Sequence, residues 1–171
     1  MKRILGEDYF NGPTVKVARS LLGKFLVRKI GKRTYALMIT ETEAYDGFKD
    51  RASHAHRSKT KRNEIMFGPA GYWYIYFTYG MHWMLNIVTG PKDYPAAVLI
   101  RGTDLASGPG RLTKKFKINK KLNRKPAEKS SGLWIEKGSN KKLKIKCTPR
   151  IGISFAGPIW AKKKYRFVTV L

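Results

Sequence analysis

The segment from Ile65 to Pro91 carries no formally charged side chain, in a chain that has 36 basic and 11 acidic residues. Its centre, GYWYIYFTYGMHWMLN (71–86), holds four tyrosines, two tryptophans and one phenylalanine. A stretch this neutral must be buried, face a membrane or present rings to a ligand. It is long enough to cross a bilayer. Gly68-Pro69, Gly71, Gly80, His82 and Asn86 interrupt it, and tyrosine prefers the membrane interface to its centre, so no span is expected. Tyr72, Tyr74 and Tyr76 alternate with Trp73, Ile75 and Phe77. On a strand such alternation sends the two sets to opposite faces, one into a core and one outward as a row of rings. Tyr79-Gly80 then marks a sharp bend with a large ring at its tip.

A chain of 171 residues with 42% hydrophobic content suits one domain, 1–171, with a real core. The net charge of +25 selects polyanionic partners, nucleic acid first and an anionic membrane second. Cys147 is the only cysteine, which rules out an intrachain disulfide and a cysteine-based zinc site and fits a reducing interior. No apolar leader follows Met1-Lys2-Arg3. Glycine loops for phosphates and the Gly-x-Ser-x-Gly nucleophile elbow are absent. His54-Ala55-His56 is too small a set for a metal, and the zinc deaminase pattern of His-x-Glu with Pro-Cys-x-x-Cys is missing.

Local patterns predict a helix in GPTVKVARSLLGK (12–24), with Thr14 as N-cap and Val15, Ala18, Leu21 and Leu22 as its apolar stripe. KFLVRKI (24–30) and TYALMITETEAY (34–45), joined by Gly-Lys-Arg, read as paired strands. The polar run 46–63 reads as a loop or irregular helix. Strands are expected in 72–79, from His82 onward and in 95–105, and a short helix in 110–118. Residues 117–132 look like a flexible basic loop, within a lysine-rich stretch reaching 146. LWIEKG, LKIKCTPRIGIS and YRFVTVL read as closing strands. One leading helix followed mostly by strands gives an α+β class with an antiparallel sheet.

The few acids carry the most chemical information. ITETEAYDG places Glu41, Glu43 and Tyr45 on one strand face. Either carboxylate could activate a water, as in glycoside hydrolysis; the plain alternative is pairing with surface lysines. A tip ring can open a base step, and rings can stack on bases. A basic surface, a wedge ring, a stacking face and a water-activating carboxylate together are what a base-flipping hydrolase requires.

The motifs ETEAY, SHAHRSKTKRNEIMFGPAGYWYIYFTYGMHWMLN, AAVLIRG, SGPGRL and INK, in this order, resemble the 3-methyladenine (alkyladenine) DNA glycosylases. The resemblance covers most of the chain. It implies a compact single domain with a curved antiparallel sheet, flanking helices and a protruding hairpin that enters DNA. It implies a monofunctional enzyme without metal or cofactor. Its substrate would be double-stranded DNA holding an alkylated or deaminated purine, 3-methyladenine, 7-methylguanine or hypoxanthine, and its product an abasic site. Glu43 would be the general base and Arg101 would hold the water or a phosphate. Tyr45, His54 and Tyr76 would line the base pocket, Asn86 would crowd guanine's exocyclic group, and Tyr79 would fill the gap in the duplex. Electron-rich rings would favour a cationic alkylated base. A monomer without a membrane partner, placed with the chromosomal DNA of the cytoplasm or nucleus, completes the expectation. The rivals are a non-catalytic basic RNA- or DNA-binding protein and a bifunctional glycosylase acting through a lysine Schiff base.

Overall fold

A computed structural model describes residues 3–138 and 143–170. Two short helices lead the chain, α1 (Glu7–Phe10) and α2 (Thr14–Ser20). They are followed by β1 (Phe25–Ile30) and the long β2 (Arg33–Asp46). After the loop 47–63 and a single 3-10 turn at Glu64–Phe67 come β3 (Trp73–Thr78), β4 (His82–Val88) and β5 (Ala96–Thr103). The rest is α3 (Pro109–Lys115), β6 (Leu133–Glu136), β7 (Lys144–Thr148), α4 (Gly157–Lys162) and β8 (Arg166–Val170). All strand pairs are antiparallel, in the order β3-β4-β5-β2-β1-β6. The expected α+β class with a curled antiparallel sheet is therefore what the chain adopts.

The length of β2 matters because its two ends have different neighbours. Residues 33–38 pair with β1, while Glu41, Thr42 and Glu43 pair with β8. The opposite edge of Ile39–Asp46 pairs with β5, with register shifts on either side of Glu41. Such an irregularity bends a strand and re-aims its side chains. Period-two alternation then separates two faces. Trp73, Ile75, Leu85, Ile87, Val98 and Ile100 enter the main core with Ala18, Leu21 and Leu22 of the α2 region and Leu112 and Phe116 around α3. Tyr74, Val88 and Ala97 point the other way, where they pack with Ala55 and Met66.

Two expectations need correction. Thr14 is the first residue of α2, Pro13 is the N-cap, and no side chain caps the helix. The Thr14 hydroxyl instead accepts from Thr89 Oγ1 at 3.1 Å, because the site is buried against the β4 exit. The segment 117–132 is not a loose loop. Ile118, Leu122 and Ala127 are buried in the main core, and Asn123 Oδ1 accepts from Ile75 N at the free edge of β3. Apolar residues spaced among lysines were enough to dock it. Residues 139–142 of the basic stretch lie outside the described residues. Helix α4 lies between the segments that read as closing strands, in a stretch to which the sequence pattern assigned no element.

Trp73 is fully buried and its Nε1 donates to Leu133 O at 3.0 Å, tying β3 to β6 across the core. Trp73→Phe leaves a void and removes one of the two hydrogen bonds to Leu133 O, the other coming from Ser131 Oγ at 3.0 Å. Urea unfolding is expected to show a loss of about 1–3 kcal/mol with an unchanged m-value; a loss below about 0.5 kcal/mol would contradict this role for the indole.

Candidate active site

The strand registers align residues across the second face of the sheet. Glu43 sits opposite Leu99, Leu99 opposite Asn86, and Asn86 opposite Tyr74. The next rows bring Tyr45 beside Ala97 and Tyr76 beside Met84. This face is the floor of a cavity of about 280 Å³. Its walls come from the loop 47–63 on one side and from Ile151 to Phe155 on another. The volume lies near the low end of small-molecule sites, which start at about 300 Å³, and suits one flat heterocycle. Tyr45, His54, Tyr76, Tyr79, Asn86 and Arg101 all line it. The sites expected from sequence are thus gathered in one place.

Glu43 does not itself line the cavity; its side chain is fully buried against the lining residues Tyr45, Arg101 and Ile151. One carboxylate oxygen accepts from Ile151 N at 2.8 Å and the other from Tyr45 Oη at 2.9 Å. Arg101 Nε stands 3.6 Å from Glu43 and 3.0 Å from Glu41. Glu41 also accepts from Arg166 Nε at 2.6 Å. The two carboxylates that looked equivalent on the strand are therefore distinct. Glu41 is committed to two guanidinium groups, while Glu43 has one cation at longer range and neighbours that line the cavity. Burial raises the Glu43 pKa above the ordinary 4.5; Arg101, the Ile151 amide and the Tyr45 hydroxyl oppose that rise. Burial also raises the Tyr45 phenol well above its usual range, so the hydroxyl keeps its proton and donates.

His54 sits on the loop 47–63, with Nδ1 3.0 Å from Tyr74 Oη and its ring edge-on to Tyr76 at 4.6 Å. Enclosure in the cleft, with the Arg62 charge adding to it, lowers its pKa to about 4. The imidazole is neutral at physiological pH. The loop is tied down at two points. Asn63 donates to His54 O and Ser58 O, each at 3.0 Å. Asp50 accepts from Asp46 N and Ala52 N and forms a two-pronged pair with Arg150, both side chains being fully buried. Asn86 donates from Nδ2 to Tyr74 O at 3.1 Å, which fixes its amide on the floor.

Arg150 was not singled out from sequence. Its guanidinium also donates to Ala44 O and lies 4.8 Å from the centre of the Tyr45 ring, while the next residue supplies the amide that binds Glu43. One signal was present: it is the lone arginine between Arg124 and Arg166, in a stretch where every other base is lysine. A planar fork rather than a point charge suits a buried two-pronged pair.

The hairpin tip protrudes beside the cavity. Tyr79 and Gly80 both have positive φ, 52° and 63°, and Met81 N donates to Thr78 O at 3.0 Å. Two successive left-handed residues match the right-handed twist of the strands they join. Tyr79 is 81% exposed and Met81 67%. A second hollow, lined by Arg51, His56, Arg57 and Phe155, adjoins the first through Ser53 and His54.

Comparison with known proteins places this geometry. The family model for methylpurine-DNA glycosylase (MPG) matches residues 8–104 and 102–170. A protein of Methanocella arvoryzae is 41% identical over 174 residues, which cover 90% of this chain and 86% of that protein. One from Wolbachia pipientis is 43% identical (88% and 84% covered), and one from Legionella pneumophila strain Corby 38% (96% and 93%). All three carry the name "Putative 3-methyladenine DNA glycosylase". Fold, cavity and relatives together define an enzyme of DNA repair that hydrolyses N-glycosidic bonds. The chain belongs to the methylpurine-DNA glycosylase family.

The raised Glu43 pKa carries a stability signature. The folded protein holds this proton more tightly than the unfolded chain, so the contribution present below pH 4.5 is lost as pH rises through the folded pKa. Glu43→Gln removes that loss. The stability difference between Glu43→Gln and wild type, from denaturant titrations at a series of pH values, is expected to move in favour of the variant as pH rises above 4.5. A flat difference would mean that the carboxyl keeps its ordinary pKa.

Proposed function

We propose that the protein is a monofunctional DNA glycosylase that flips an alkylated or deaminated purine into the cavity and releases it with a water activated by Glu43. The observation that carries this reading is the fully buried carboxylate of Glu43 against the lining of an aromatic cavity sized for one base. A carboxylate oxygen that already accepts one hydrogen bond retains a second lone pair for a water. Water attacks the sugar carbon, its proton passes to Glu43, and the bonding pair of the glycosidic bond leaves with the purine. Positive charge grows on the sugar in this step, and a carboxylate in a dry site stabilises it. Arg101, held by Glu41, keeps Glu43 ionised and directs the water. Alkylation at a ring nitrogen makes the purine a better leaving group, so selectivity needs few base-specific contacts.

Tyr45, His54 and Tyr76 clasp the flipped base, and Asn86 meets its edge. Tyr79 enters the minor groove and replaces the extruded nucleotide in the stack. Arg51 and Arg57, beside the cavity, are suited to backbone phosphates. The substrate is double-stranded DNA, and the protein works as a monomer. A Schiff-base mechanism is disfavoured because, among the described residues, no lysine lines the cavity. A purely binding role leaves the burial of Glu43 without purpose.

Base release from duplexes holding 3-methyladenine, 7-methylguanine, hypoxanthine or undamaged purine, read as alkali-labile sites, tests the proposal. Wild type is expected to release damaged bases, and Glu43→Gln to bind the same duplexes while releasing none. Equal release by both proteins would remove Glu43 from the chemistry. Because the reaction needs the ionised carboxylate, the rate is expected to fall as pH drops through a window above 4.5. Tyr79→Ser is expected to weaken lesion binding by roughly 1–3 kcal/mol, the worth of one stacked base, in fluorescence titrations. Unchanged binding would mean that the ring stays outside the stack.

A further inference from the structure

Both tyrosines that clasp the base have an arginine on the ring. Arg150 lies 4.8 Å from the centre of Tyr45, and Arg62 lies 5.0 Å from the centre of Tyr76. Neither arginine lines the cavity, although both rings do. The guanidinium groups therefore lie over the rings from outside the cavity lining. A ring attracts a cation through the negative face of its quadrupole. A cation already on one face opposes a second cation on the other, and the two positive charges also repel directly.

The two arginines differ in one decisive respect. Arg150 is cancelled by Asp50 in a fully buried pair. Arg62 has no carboxylate within ion-pair distance among the described residues; it meets the Tyr76 ring, Phe77 O at 3.4 Å and the Tyr74 hydroxyl, none of which carries a compensating charge. Its charge therefore reaches Tyr76, and through it the cavity, without local compensation. Solvent screens it in part, since Arg62 is exposed. The cation–π preference for alkylated bases expected from the ring content is thus intact at Tyr45 and opposed at Tyr76.

We propose that Arg62 is a specificity-determining residue: its uncompensated charge over the Tyr76 ring biases the pocket against bases that carry a positive charge and toward neutral damaged bases. The proposal rests on the reading in which Tyr45 and Tyr76 clasp a flipped purine. Arg62 makes no contact with the base in this account. It acts by changing what the Tyr76 face offers.

The test is a ratio. Base release under kcat/KM conditions is measured on one duplex sequence holding either 7-methylguanine, which is cationic, or hypoxanthine, which is neutral. The proteins are wild type, Arg62→Gln and Arg62→Lys. Any general loss of DNA affinity affects both lesions and cancels in the ratio. Arg62→Gln is expected to raise the ratio of cationic to neutral lesion by about 2–5-fold, the effect of one partly screened charge. Arg62→Lys keeps the charge and is expected to leave the ratio near that of wild type. Thermal unfolding of each variant checks that the exposed substitution leaves the fold intact. Equal losses on both lesions in Arg62→Gln, or the same rise in Arg62→Lys, would overturn the proposal and leave Arg62 as a DNA-contact or packing residue. Failure of wild type to release either base would instead overturn the underlying reading of the site.

Discussion

The burial of Glu43 is the constraint around which the rest of the site is built. Removing an ion from water costs several kcal/mol unless partners replace the lost hydration. Here the Ile151 amide, the Tyr45 hydroxyl and the more distant Arg101 do so. Each partner is itself held. Arg101 is fixed by Glu41, which Arg166 also binds. The backbone before Ile151 is anchored by Arg150 on Asp50 and Ala44 O. Asp50 in turn orders the start of the loop that carries His54. One connected set of charges thus joins the floor of the cavity to two of its walls. Damage at Asp50 or Arg150 would reach Glu43 without touching it.

The sheet makes that arrangement possible because one strand serves three partners. β2 gives its first half to β1 and its second half to β5 and β8, and the irregular register around Glu41 falls where the partners change. Period-two alternation then does two jobs on the same residues. Trp73 and Ile75 of β3 fill the core and Tyr74 and Tyr76 supply rings of the cavity, while Phe77, next to the tip, is exposed. The neutrality of Ile65–Pro91 follows from this: one face has no water and the other lines the cavity with aromatic rings. The strong positive charge is carried elsewhere on the surface.

Much of this was legible in the sequence, for identifiable reasons. The alternation in 72–78, the Tyr79-Gly80 tip and the β1–β2 hairpin are local patterns, and local patterns survive folding. The strand face bearing Glu41, Glu43 and Tyr45 was likewise readable, but not the division of labour between the two acids. That division depends on Arg101 and Arg166, which lie 60 and 125 residues from Glu41. Arg150 was hidden for the same reason, since its partner Asp50 is 100 residues away. The basic run 117–132 misled because its lysines outweigh the few apolar residues that anchor it. Thr14 misled because a cap signal says nothing about a hydroxyl that tertiary packing recruits.

The distance along the chain between Glu43 and its partners also sets an order of events during synthesis. The Ile151 amide is 108 residues beyond the carboxylate it binds. Contacts of such long sequence separation are slow to form, because a large loop must close first. A ribosome therefore has to deliver nearly the whole of the described chain before either acid can be withdrawn from water. Until then Glu41 and Glu43 lie on the part of β2 beyond its pairing with β1, in reach of water. A growing, strongly cationic polypeptide can meet nucleic acid throughout its own translation, but the pocket arrives last.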